Sequence, residues 1–186
     1  NGDIIRDTQA YGDLLFSQVI EKSSNIGLIK FARRLPRSRF YEYIRSFGFA
    51  TRTGINLPAE NSGLLAEVDK WSERSLETIA IGQEIGATAL QLALAYGVIA
   101  NGGVLMAPRL VAGTTDAEGN FEGLDEPQKV RRVLRRETAA TLRRVLVGVV
   151  ENGTGRRAQI EGVEVAGKTG TAQRAAEDGS GYDPDA

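Results

Sequence analysis

The 186-residue sequence predicts an α+β domain, on three observations. Leu142, Val145, Leu146, Val149 and Val150 recur at i, i+3, i+4, i+7 and i+8, the spacing of an amphipathic helix over residues 136 to 151. Thr88 and Gln91 have capping-box spacing ahead of Leu90, Leu92, Ala93, Leu94, Ala95, Val98, Ile99 and Ala100, which predicts a helix apolar on nearly every side and so placed in the middle of the domain. Val104-Leu105-Met106 before Pro108, and Val163 and Val165 alternating with Glu164 and Ala166, predict short strands. No internal repeat or low-complexity tract is present.

The remaining elements follow in chain order. Within residues 16 to 35, Ile26, Ile29, Phe31 and Leu35 recur at roughly helical spacing, with Ser23-Ser24-Asn25 at a capping position and Pro36 as the stop. A second amphipathic segment uses Phe40, Tyr43, Ile44 and Phe47, with Gly48 as its C-terminal cap. Residues 50 to 69 carry Gly54, Pro58, Asn61 and Gly63 and read as turns and short extended pieces. Asn101-Gly102-Gly103 closes the central helix, and residues 113 to 128 read as a surface loop. Asn152-Gly153-Thr154-Gly155 ends the 136–151 helix, whose apolar stripe faces the core and whose arginines face away. The strand over 163–166 leads directly to Lys168.

Composition restricts the chemistry, because the chain has no histidine and no cysteine. Ser-His-Asp and Cys-His catalysis, zinc fingers and disulfide scaffolds are excluded. Covalent catalysis is left to a serine or threonine activated by lysine, or to a carboxylate, and metals to oxygen ligands. No cofactor and no metal site is expected. A net charge of −1 argues against a polyanionic partner, and no nucleic acid is expected. Of the 23 basic residues 18 are arginine, eight of them in the pairs Arg131-Arg132, Arg135-Arg136, Arg143-Arg144 and Arg156-Arg157. With no aromatics interleaved for base stacking, these pairs read as a solvated helix face and its flanks.

No apolar run is long enough to cross a bilayer, and Asn1-Gly2-Asp3 is neither a signal peptide nor a methionine start. Ala175 to Gly181 reads as a polar loop interrupted mid-course. Residues 1–186 are therefore expected to be one partial domain, truncated at both ends.

Two polar strings carry the chemistry, Ser23-Ser24-Asn25 and Lys168-Thr169-Gly170-Thr171. Each alone is weak, since Ser and Asn are good helix caps and Lys-Thr-Gly is common. A capping Ser-x-Asn, a long helical insert and then Lys-Thr-Gly-Thr on a strand form a specific arrangement, the second and third signatures of the penicillin-recognising serine acyltransferases. Matching text extends through Ser23-Ser24-Asn25-Ile26-Gly27, Phe47-Gly48-Phe49, Thr53-Gly54-Ile55-Asn56-Leu57-Pro58, Gln91-Leu92-Ala93, Ala100-Asn101-Gly102-Gly103, Gly153-Thr154-Gly155 and Ala166-Gly167-Lys168-Thr169-Gly170-Thr171-Ala172-Gln173. On these residues the chain resembles the class B penicillin-binding proteins, monofunctional peptidoglycan D,D-transpeptidases. It is most similar to the division-specific type, with the elongation-specific type close behind.

The resemblance implies the serine β-lactamase-like transpeptidase fold, an antiparallel sheet covered by helices plus a mostly helical lobe. Ser23 and Asn25 would belong to the helical lobe, Lys168 to Thr171 would line the sheet's edge strand, and the site would lie between them. Ser23 would relay a proton, Asn25 would orient the substrate's peptide backbone, and Ser24 would point elsewhere. Lys168 would place a positive charge near the substrate carboxylate, to which Thr169 and Thr171 donate, while Gly170 admits substrate close to the strand. The Thr171 N–H would form half of an oxyanion hole. The implied partners are the D-Ala-D-Ala stem peptide of peptidoglycan, β-lactam antibiotics and membrane proteins of cell division or elongation. The implied location is the extracytoplasmic face of the bacterial cytoplasmic membrane, held by an N-terminal anchor helix.

One departure accompanies the match: no serine is followed three residues later by lysine, and only 22 residues precede Ser23. The S-x-x-K nucleophile is expected outside this chain, which alone should form no acyl-enzyme. A non-catalytic β-lactam sensor, a hydrolase of the same family, and a phosphate loop at Gly162-Val163-Glu164-Val165-Ala166-Gly167-Lys168-Thr169 remain as rival readings. Polar residues before Gly162 and glycines after Thr169 argue against the last.

Overall fold

A computed structural model describes residues 4–123 and 126–170. Along the chain lie helices α1 (Phe16–Glu21), α2 (Asn25–Ala32) and α3 (Arg37–Ser46), strand β1 (Leu64–Leu65), helix α4 (Ser75–Ala80), strand β2 (Ile85–Gly86) and helix α5 (Ala89–Ala100). Strands β3 (Val104–Met106), β4 (Gly113–Thr115), β5 (Phe121–Gly123) and β6 (Lys129–Arg132) and helix α6 (Arg136–Glu151) follow. The chain divides into two compact units, Asn1–Phe40 with Ala66–Ile85 and Arg144–Ala186, and Tyr41–Leu65 with Gly86–Arg143.

In the first unit α1 and α2 meet closely because residue 27 is glycine: a Cβ there would lie 2.6 Å from a Val19 methyl. α2 packs on α4, with the Arg33 guanidinium on the Glu77 carboxylate across them. Val19, Ile29, Ala32, Trp71, Leu76, Ile79, Leu146, Val149 and Val150 are the buried apolar residues of this unit. Full burial of a side chain such as Val149 contributes about 1.5–3 kcal/mol. The α6 stripe thus faces the core as predicted, and Arg143 and Arg144 are exposed.

In the second unit α5 packs on β3, which pairs antiparallel with β6. The predicted capping box is present: Gln91 N donates to Thr88 Oγ1 at 3.1 Å and Thr88 N to Gln91 Oε1 at 3.0 Å. Gln91 is 1% exposed, and its Nε2 donates to Thr51 O at 2.9 Å and Ser62 O at 2.8 Å. The 50–63 loop is therefore tied to α5 by a helix residue.

The helix expected to be capped at Ser23-Ser24-Asn25 is α2, with Ser24 as its N-cap, and the residues ahead of that string form a separate short helix, α1. Several expectations are corrected. α5 is not enclosed on every side, since Leu92 and Tyr96 are 45% and 40% exposed and its buried residues Gln91, Ala95 and Val98 share one face. The 113–128 loop contains the β4–β5 hairpin, whose turn is held by the Asp116 carboxylate accepting from the Glu118 and Asn120 N–H groups. The Asn120 side-chain amide, which donates to Asp116 Oδ2 at 2.8 Å, and next those backbone bonds hold the Asp116 carboxyl below its usual range. Arg131 and Arg132 lie on β6, where they donate to the carbonyls of Ser46 and Arg45 and of Gly102 and Leu134. Residues 163–166 form no strand among the described residues; Ile160 and Val163 make an isolated bridge, and Gly167 N donates to Leu146 O of α6 at 3.1 Å. Alternation alone does not make a strand where the described residues offer no ladder partner.

Candidate active site

The Ser23-Ser24-Asn25 string is the link between α1 and α2. Ser23 N donates to Ile20 O and Ser24 N to Val19 O, folding the chain back over the end of α1. Ser23 has φ +54°, a left-handed conformation that costs a serine energy and that the surroundings must impose. Ser24, 3% exposed, caps α2 by accepting from Gly27 N at 3.0 Å and donates its own proton to Asp7 Oδ2 at 2.8 Å. Asn25 Nδ2 donates to Arg6 O at 3.0 Å.

From 145 residues further along, Lys168 Nζ donates to Ser23 Oγ at 2.9 Å. Its other contacts are Thr169 O at 3.0 Å and Thr169 Oγ1 at 3.2 Å. Among the described residues no carboxylate pairs with this ammonium. Burial lowers the Lys168 pKa, because desolvation disfavours the charged form. A half-buried cation without a counterion favours an incoming anion.

The end of α6 holds the two strings together. Thr154 N donates to Glu21 O at 3.2 Å, and the approach needs glycine at 153, where a Cβ would lie 2.3 Å from that same carbonyl oxygen. The Thr154 hydroxyl shares a hydrogen bond of 2.7 Å with Thr169 Oγ1. With Gly167 tied to Leu146, α6 aligns both the residue two before Ser23 and the residue before Lys168.

Of the residues singled out from sequence, Ser23, Lys168 and Thr169 form one hydrogen-bonded group, with Asn25 two positions away on the same turn. All lie in the same compact unit, and residues 168–170 are not in a strand, so the expected placement on an edge strand is not met over those residues. A Cβ on Gly170 would meet nothing within 4 Å, so local packing among the described residues does not require glycine there. Thr171 lies outside the described residues, and with it the assigned half of the oxyanion hole. Thr154 and Asp7 were missed as functional candidates. Thr154 stood in the Gly153-Thr154-Gly155 string, whereas Asp7 carries no local signal. The segment before Lys168 contains a 3₁₀ turn, Arg156–Ala158, and an isolated bridge where a phosphate loop needs a buried strand.

The penicillin binding protein transpeptidase domain family matches residues 3–186. The chain belongs to the penicillin-binding protein transpeptidase family. It is 40% identical over 182 residues to penicillin-binding protein PbpB of Mycolicibacterium smegmatis, covering 93% of this chain and 28% of that protein. To the peptidoglycan D,D-transpeptidase FtsI of Escherichia coli it is 31% identical over 180 residues, covering 96% of this chain and 29% of that protein. Among solved structures, penicillin binding protein 3 of Mycobacterium tuberculosis complexed with aztreonam superposes with TM-score 0.86 at 35% identity, over 97% of this chain and 42% of that one. The transpeptidase domain of Burkholderia pseudomallei penicillin-binding protein 3 gives 0.83 at 31%, over 95% and 50%. The chain thus spans under a third of these curated relatives and half of that solved domain, with the transpeptidase fold of mixed helices and short antiparallel strands. PbpB, FtsI and penicillin binding protein 3 are division-type class B penicillin-binding proteins.

Proposed function

We propose that the longer protein carrying this chain is a peptidoglycan D,D-transpeptidase that cross-links stem peptides through a serine acyl-enzyme and is acylated by β-lactams. The observation that carries the reading is the 2.9 Å bond from Lys168 Nζ to Ser23 Oγ, which joins the two signature strings into one hydrogen-bonded pair. In this reading a serine of an S-x-x-K segment outside residues 1–186, which form part of a transpeptidase domain, attacks the carbonyl between two D-alanines. Terminal D-alanine leaves, and an amine of a neighbouring strand takes the acyl group. Because Lys168 donates to Ser23 Oγ, the Ser23 proton is free to pass to the leaving amine. Asn25 holds the stem-peptide backbone. Lys168, Thr169 and Thr171 receive the terminal carboxylate, with Gly170 leaving room for it. The Thr171 N–H completes an oxyanion hole with the N–H of the nucleophile. The reading places the protein at the extracytoplasmic face of the cytoplasmic membrane, anchored by an N-terminal helix, with division or elongation proteins as partners. Support comes from the family membership and from one relative, penicillin binding protein 3 of Mycobacterium tuberculosis, whose structures are complexes with aztreonam and ampicillin.

Covalent labelling of the longer protein by a fluorescent penicillin tests this. Labelling is expected, with Ser23→Ala and Lys168→Ala each slowing acylation by about a hundredfold or more, the scale of a lost proton-transfer group. Absence of labelling would refute the enzyme reading in favour of a non-catalytic relative, and unchanged rates in both variants would refute the assigned roles.

A further inference from the structure

We propose that Asp7 is a positioning residue of the site, its carboxylate clamping the Ser23-Ser24-Asn25 turn so that the Ser23 hydroxyl stays on Lys168. The proposal rests on the transpeptidase reading above. A serine hydroxyl has one proton, and Ser24 Oγ already accepts Gly27 N–H at 3.0 Å, so its proton is committed to Asp7 Oδ2 at 2.8 Å. The other oxygen, Asp7 Oδ1, takes Ile26 N–H at 3.0 Å, one of the first-turn donors of α2 that no helical carbonyl reaches. One residue earlier, Arg6 O accepts from Asn25 Nδ2 at 3.0 Å. The dipeptide Arg6-Asp7 therefore holds Ser24, Asn25 and Ile26, which lie far from it in sequence.

The clamp matters because of what Ser23 is made to do. Its φ of +54° is a conformation that relaxes unless both flanks are fixed. Backbone bonds to Ile20 O and Val19 O fix the α1 side, and Asp7 fixes the α2 side. Freeing Ser24 from Asp7 lets Ser23 return towards negative φ, which swings Oγ off Lys168 Nζ. An asparagine at position 7 keeps the shape but has one acceptor oxygen, so either the Ser24 proton or the Ile26 N–H loses its partner.

The test uses the longer protein that carries this chain, with Asp7→Asn, Ser24→Ala and the double variant. Acylation by a fluorescent penicillin is resolved into the rate constant at saturation and the half-saturating concentration. Asp7→Asn is expected to lower the saturating rate constant about tenfold or more, with the half-saturating concentration nearly unchanged, because an aligned proton relay is lost while the carboxylate contacts remain. The double variant should be no slower than the slower single variant, since both changes break one clamp. A merely structural Asp7 would lower the melting temperature and the labelled fraction while leaving the rate constant per labelled site at the wild-type value, and that result overturns the proposal. Should Asp7→Asn fail to fold, Ser24→Ala decides alone, because it removes the clamping proton while Asp7 still caps Ile26. An unlabelled wild type refutes the transpeptidase reading, whereas a labelled wild type with unchanged rate constants in both variants refutes the clamp only.

Discussion

Lys168 is where local structure and chemistry meet. Its ammonium donates to Ser23 Oγ, Thr169 O and Thr169 Oγ1, contacts an incoming carboxylate can share or replace, and Thr154 steadies it indirectly through the 2.7 Å bond to Thr169 Oγ1. Burial holds its pKa below the ordinary 10.5, with consequences of opposite sign for stability and for binding. Between the lowered pKa and 10.5 the unfolded chain carries the extra proton, so the stability contributed by this group rises with pH across that window. A bound carboxylate favours the charged form, so anion affinity falls as pH climbs through the same window. Acylation of the longer protein by an anionic β-lactam should therefore decline on the alkaline side before 10.5 is reached. Lys168→Arg, whose guanidinium stays charged, should be slower but should lose that alkaline limb from its pH–rate profile. A limb that persists unmoved in the arginine variant belongs to another group.

At the scale of elements, one buried glutamine, Gln91, ties α5 to the 50–63 loop by hydrogen bonds. Gln91→Leu leaves Thr51 O and Ser62 O without their donor and removes half of the capping box, so it should destabilise the second unit by roughly 3 kcal/mol, read from urea unfolding. A change under about 0.5 kcal/mol would mean that water replaces the side chain at both carbonyls. Gln91 was legible in the sequence as a cap, because capping is local, but its long-range bonds were not. The same division runs through the fold. α3 with Gly48, α5 with Thr88, α6 with its stripe and the β3 run were readable, since each rests on spacing within one segment. β6 was not, because Lys129-Val130-Arg131-Arg132 has one apolar residue and its arginines are held by carbonyls 30 to 86 residues away or in the next turn. The start of α2 was readable from its Ser23-Ser24-Asn25 cap, but the left-handed conformation of Ser23 was not, since only the folded surroundings impose it. In the site, Ser23, Asn25, Lys168 and Thr169 stood in recognisable strings, while Asp7 and Thr154 act through contacts that only the folded chain brings together.

Among the described residues, each unit leaves large apolar side chains in the open. They include Leu15, Phe16 and Leu35 in the first unit, and Leu92, Tyr96 and Leu110 in the second. Exposed apolar side chains of this size mark faces that something else covers, and a solved transpeptidase domain of which this chain matches half supplies a source for the cover. Residues 1–186 expressed alone should therefore bind a hydrophobic dye such as ANS strongly in the native state and unfold over a broad denaturant range, with a shallow slope for the chain length. The longer protein carrying the chain should bind little dye and unfold cooperatively. Equal dye binding by the two, measured per mole at the same temperature, would mean that the exposed faces stay open in the complete protein and are docking surfaces for partners outside it.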